Sequence, residues 1–84
     1  MAKGVIRYWA AAKAAAGVPE EPYQADTLAE VLRNAGRARG EEFRRVLERS
    51  SFLVDGRPVG TRPHAGVELS DGAVVEVLPP FAGG

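Results

Sequence analysis

The chain is predicted to be an α+β domain, with helices packed on one face of a small mixed sheet. Three observations predict it. Both ends of the chain read as alternating strands, two apolar stripes at helical spacing fill the middle, and a tight hairpin turn precedes the last strand. Parallel pairing of the two terminal strands at the sheet centre makes the helical middle a crossover connection. The carboxyl end then leaves from a central strand, a rigid launching point.

Lys3 to Trp9 alternates, placing Ile6 and Tyr8 on one face and Val5, Arg7 and Trp9 on the other. Ala10 to Ala16 is an alanine-rich stretch of about two turns with Gly17 as its C-terminal cap, too short to be stable unless it leans on a core. Pro19 and Pro22 bracket an edge segment from Glu20 to Ala25. Thr27 and Glu30 fit a capping box, in which each side chain satisfies a backbone donor of the other. Leu28, Val31, Leu32 and Ala35 then form one apolar stripe. Gly36 and Gly40 punctuate the pattern. A second helix from Glu41 to Ser50 buries Phe43, Val46 and Leu47, with Glu41 and Glu42 at the favourable end of its dipole. Phe52 to Val54, Asp55-Gly56 and Arg57 to Val59 read as a hairpin, with Pro58 at an edge. An irregular loop from Gly60 to Ser70 and an Asp71-Gly72 turn lead into the last strand, Ala73 to Leu78. Residues 1–78 therefore make one domain, and residues 79–84 an extended tail of that domain.

Composition removes several function classes. Eleven basic and eleven acidic residues give zero formal net charge, which argues against nucleic acid, whose phosphates demand a basic surplus. Without cysteine there is no disulfide framework, thiolate metal site or cysteine nucleophile, so any sulfur handled here must sit on another group. No secretory signal and no apolar run of spanning length is present, so a cytoplasmic chain with no membrane partner is expected. His64, the sole histidine, lies in a loop without a second histidine or a carboxylate cluster and reads as a solvated side chain. The acidic residues stand at helix starts, as caps rather than acid–base pairs. No metal site, bound cofactor or self-contained active site is expected.

The strongest functional signal is the terminal segment Leu78-Pro79-Pro80-Phe81-Ala82-Gly83-Gly84. Gly-Gly by itself is no more than a fraying end. Behind it, however, Pro79-Pro80 favours a stiff extended backbone, and Phe81 is foreign to a plain linker. Two residues without Cβ can enter a channel too narrow for side chains. Six extended residues reach roughly 20 Å, enough to deliver the Gly84 carboxylate into another protein's site. At the root of this tail the outer sheet face should show Arg7 and Trp9 beside Glu76 and Leu78. Arg7 and Glu76 are placed to pair across strands. Trp9 and Leu78 form a docking surface there, unless the loop from Gly60 folds over Trp9 and makes it core.

Those residues resemble the MoaD/ThiS-type ubiquitin-like sulfur carriers, and in particular the small subunit of molybdopterin synthase. The likeness runs from about Val5 to Gly84 and is most specific in the Pro-Pro-x-x-Gly-Gly ending. Ile6 to Ala10 with the alanine-rich turn, Val54 to Val59, and Leu69 to Gly72 are similar to the family's first strand, hairpin and last turn. The resemblance implies a β-grasp fold with a flexible Gly-Gly tail. It also implies a chain that is no enzyme on its own. A ubiquitin-activating-like adenylyltransferase of the MoeB/ThiF type, using ATP, would adenylate Gly84. A sulfur donor would displace AMP to leave a thiocarboxylate. The tail would then enter a large MoaE-type synthase subunit and give its sulfur to a pterin precursor of the molybdenum cofactor. Gly83 would thread beside Gly84, Trp9, Pro58 and Leu78 would form the docking patch, and Pro79, Pro80, Phe81 and Ala82 would follow into the partner. Phe81, Ala73 and Arg7 depart from the family pattern, which commonly has a smaller aliphatic, an acidic and an apolar residue there. The same ending also fits a carrier for thiamine or cysteine synthesis, a ubiquitin-like modifier joined to lysines through Gly84, or a binding module with an idle tail.

Overall fold

The first and last strands lie side by side at the centre of the sheet. The structure, a computed structural model, describes residues 1–80; Phe81, Ala82, Gly83 and Gly84 lie outside the described residues. Strand β1 (Lys3–Tyr8) pairs in parallel with β5 (Val74–Leu78), matching Ile6 to Val75 and Tyr8 to Val77. On one side β1 carries the antiparallel edge strand β2 (Glu20–Gln24). On the other, β5 pairs antiparallel with β3 (Ser51–Val54), which holds the short edge strand β4 (Arg57–Pro58). The order is β2-β1-β5-β3-β4, and α1 (Ala10–Ala16), α2 (Leu28–Arg37) and α3 (Glu41–Arg49) complete the described elements with a 3-10 turn at His64–Gly66. This is the β-grasp arrangement.

Local sequence explains most boundaries. Gly17 closes α1 with φ of 80°, and its N–H donates to the Lys13 carbonyl at 3.0 Å. Thr27 Oγ1 accepts from the Glu30 N–H at 3.3 Å, but Glu30 Oε1 accepts from Asp26, one residue earlier than an ideal capping box. Asp55 and Gly56 both have positive φ (50° and 80°), the requirement of a two-residue turn with primed geometry. Asp55 also anchors the hairpin: its Oδ1 accepts from the Val74 N–H at 2.9 Å and its own N–H donates to the Val74 carbonyl.

Ile6, Val75 and Val77 on the inner sheet face meet Leu28, Val31 and Phe43 from the helices. At roughly 25 cal/mol per Å² of apolar surface, that burial is the main favourable contribution to folding. Tyr8 packs edge-on to Phe43, with ring centroids 5.4 Å apart. Its hydroxyl donates to Glu21, and Arg39 closes the set from the α2–α3 connection with two bonds to the same carboxylate, at 2.7 and 3.1 Å. The Arg39 bonds, more than any other cause, hold the Glu21 carboxyl below its usual range. Burial first, and the Glu21 bond second, push the Tyr8 phenol well above its ordinary value. Among the described residues no buried side-chain nitrogen or oxygen lacks a partner, so pairing offsets the desolvation of this network.

Two expectations change. His64 is not solvated: it is half-buried, with its ring edge-on to Phe52 at 5.1 Å, because the 3-10 turn lays it against β3. Pro79, assigned to the tail, is buried, and Pro80 is the first exposed residue beyond β5. Among the described residues, no helix is long and apolar enough to cross a membrane.

Candidate functional site

Helices and core occupy one face of the sheet, and strand alternation puts a second set of side chains on the other. Register places Glu20, Arg7, Glu76, Leu53 and Pro58 in one row across all five strands. At about 4.8 Å per strand that row spans roughly 19 Å. Pro22, Val5 and Val74 form the next row, and Leu78 lies opposite Ser51 at the end where the chain departs. Val5, Leu53, Val74 and Leu78 are each only partly buried, and none packs against the core.

Trp9 stands at the head of this face and is 46 % exposed, so the loop from Gly60 does not cover it. Four hydrogen bonds and one backbone angle set its position. Its N–H donates to the Val77 carbonyl at 3.2 Å, extending the β1–β5 ladder by one residue. Its carbonyl accepts from Ala12 and Lys13 as α1 begins. Ala10 follows in the left-handed region with φ of 48°, a strained choice for a residue with a Cβ, which turns the chain sharply from strand to helix. The indole Nε1–H donates to Glu76 Oε2 at 3.0 Å, and so pins the ring to the neighbouring strand.

The expected Arg7–Glu76 pair does not form. Arg7 has a carboxylate on each side, because β2 places Glu20 opposite it and β5 places Glu76. Glu76 takes the indole, and the Arg7 guanidinium turns to Glu20 at 3.3 Å. That pair is about half exposed and contributes a fraction of a kcal/mol.

Of the predicted site residues, Trp9 and Leu78 sit at the departing end of the outer face, with Pro58 exposed at the β4 edge and Leu53 and Glu76 between them. Pro79 and Pro80 continue from that end. Phe81, Ala82, Gly83 and Gly84 lie outside the described residues. Sequence reasoning put Val5 on the face of Arg7 and Trp9 but passed over Leu53 and Val74 as surface residues; the signal was their parity within the strands, which needs the register to become a patch. A groove of about 760 Å³ between α2, α3 and His64 lies on the opposite, helical side. Among the described residues no group of three His, Cys, Asp or Glu side chains is placed to hold a metal ion. A partly apolar sheet face with one exposed aromatic is suited to protein docking.

The ThiS family model matches residues 6–84. No curated protein sequence matches the chain significantly. Among solved structures, the chain is similar to a putative molybdopterin converting factor subunit 1 from Pyrococcus furiosus. The two are 26 % identical over 96 % of this chain and 100 % of that one, with a TM-score of 0.77. Small archaeal modifier protein 1 from Methanosarcina acetivorans shares the fold at a TM-score of 0.84 and 22 % identity, covering 100 % and 98 % of the two chains. The complex of subunits 1 and 2 of molybdopterin-converting factor from Helicobacter pylori contains the same fold at a TM-score of 0.70 and 21 % identity, covering 98 % and 99 %.

Proposed function

This chain belongs to the ThiS family of ubiquitin-like sulfur carriers, and we propose from that premise that it carries sulfur on the Gly84 carboxyl group for molybdopterin synthesis. The observation that supports this most is the family match running through Gly83 and Gly84, on a fold whose central strand leads directly to Pro79 and Pro80. The Pyrococcus furiosus neighbour, by its description, supports the molybdopterin pathway among the possible sulfur acceptors.

In this reading the chain supplies a handle and a carboxylate, and partner proteins supply the catalysis. The outer face, with Trp9, Leu53, Pro58 and Leu78, docks on an adenylating enzyme and positions the terminal residues. A Gly84 carboxylate oxygen attacks the α-phosphorus of ATP in that enzyme's site and pyrophosphate departs. The resulting acyl adenylate is a far better electrophile than the carboxylate. A sulfur nucleophile attacks its carbonyl carbon, AMP leaves, and a thiocarboxylate remains. The same face then docks on a large synthase subunit, where the sulfur passes to a pterin precursor. Tethering the sulfur to a folded chain places it within reach of the acceptor and avoids a diffusing sulfide. Gly83 lacks a Cβ that the narrow entrances of both partners would otherwise have to accommodate.

The test is intact-mass spectrometry of the chain incubated with ATP, an adenylating enzyme from the same genome and a sulfide source. The expected result is the mass gain of replacing one oxygen by sulfur, located on the Gly84 peptide and absent in Gly83→Val, whose melting temperature should match the unaltered chain. No gain at Gly84, with isopeptide ladders on other proteins, overturns the carrier reading in favour of a modifier.

A further inference from the structure

The charged row on the outer face contains one carboxylate whose local partner is not a cation. Glu76 lies on β5 at the centre of the sheet, between Arg7 and Leu53. Its one side-chain hydrogen bond among the described residues comes from a neutral donor, the Trp9 indole, on Oε2. A carboxylate offers about four acceptor positions, so Oε1 and a lone pair of Oε2 stay available. Arg7, the cation opposite Glu76 in register, pairs instead with Glu20 through Nε.

We propose that Glu76 is the receptor for an arginine of the adenylating enzyme, with Trp9 and Leu53 forming the walls of its seat. The proposal rests on the carrier reading above and names the chemistry its outer face recognises. Three features favour a guanidinium over an ammonium. The planar fork can bond Glu76 while its face lies on the exposed Trp9 ring, which a compact ammonium cannot do as well. The indole bond to Glu76 holds ring and carboxylate in fixed relation before binding, which reduces the ordering cost of association. Leu53 and Pro58, next along the row, offer an apolar floor for the methylene stem of an arginine entering from the β4 side. Entry from that side also keeps the incoming charge away from Arg7, which Glu20 draws toward the β2 edge. Once the partner excludes water, a charge-assisted pair at the centre of an interface selects strongly for the partner that carries the cation.

The test compares binding of the unaltered chain and Glu76→Gln to the adenylating enzyme from the same genome, by calorimetry over a range of salt concentrations. Glutamine keeps a carbonyl acceptor for the indole, so Trp9 emission and the thermal transition should not move; Trp9 is the only tryptophan, so its emission reports this site alone. The expected result is a dissociation constant raised about 10- to 100-fold, with a flatter dependence on salt. Equal affinity and an equal salt slope for the two chains overturn the proposal while leaving the carrier reading intact. If the unaltered chain does not bind at all, the carrier reading falls and takes this proposal with it.

Discussion

Arg39→Ala should be among the most damaging single changes available outside the apolar core. Arg39 donates twice to Glu21, at 2.7 and 3.1 Å, and its Nε donates to the Ala16 carbonyl at 3.2 Å. Its guanidinium carbon also lies 5.4 Å from the Tyr8 ring centroid and 5.0 Å from that of Phe43. Hydrogen bonds to a charged group are each worth about 1.5–3 kcal/mol. The Glu21 side chain is 30 % exposed, so water replaces part of that loss in the variant. Two cation–π contacts add about 0.5–1 kcal/mol each. At the lower end of each range, and with the hydrogen-bond part halved for that solvent access, these give a destabilisation of about 3 kcal/mol, which in a domain of this size lowers the melting temperature by roughly 12–24 °C. Urea melts should show the midpoint falling with little change in slope. The pH dependence provides an independent check. Arg39 lowers the folded-state affinity of Glu21 for a proton, so the folded chain binds fewer protons than the unfolded chain just below the ordinary carboxyl value near 4.5. Stability from this pair is complete above that value and is lost as pH falls through the lower folded-state value. Arg39→Ala should lose most of this acid-side decline. A melting temperature within 2–3 °C of the unaltered chain, or an unchanged acid limb, would refute the assignment of Arg39 as the clasp between β2 and the helical layer (the threshold being about 0.5 kcal/mol).

Gly4→Ala should destabilise by about 2 kcal/mol or more in urea melts, because a Cβ at Gly4 meets the Ala73 carbonyl oxygen and lies 2.6 Å from the Tyr23 hydroxyl. Tyr23 crosses over Gly4 to donate to that same carbonyl at 2.8 Å, so Tyr23→Phe should cost about 1 kcal/mol without disturbing the fold. Trp9→Lys should leave a cooperative melt within about 1 kcal/mol of the unaltered chain, since the ring is nearly half exposed, while weakening partner binding at least tenfold; loss of the cooperative transition would place Trp9 in the core.

Residues within a few positions of one another settled what could be read in advance. Gly17, Thr27 with Glu30, and Asp55-Gly56 act through bonds spanning one turn or through a φ that one residue must adopt, so their meaning travels with the sequence. Alternation in the terminal strands likewise predicted which residues of β1 and β5 face the helices, and the family match confirms the ubiquitin-like likeness carried by the terminal motif.

Pairing between distant residues was decided only by the folded arrangement. Arg7 could meet Glu20 or Glu76, and nothing near it in the chain chooses; in the folded chain it pairs with Glu20, while Glu76 accepts from an indole 67 positions away. The Tyr8–Glu21–Arg39 network joins residues separated by 13 and 18 positions, through side chains whose directions depend on how helices settle on the sheet. Leu53 and Val74 became a surface patch only when register aligned four strands beside them. Local chemistry fixes elements because backbone hydrogen bonding and steric limits are short-ranged. Side-chain partnership is a competition among groups brought together by packing, and only the assembled sheet determines its winner.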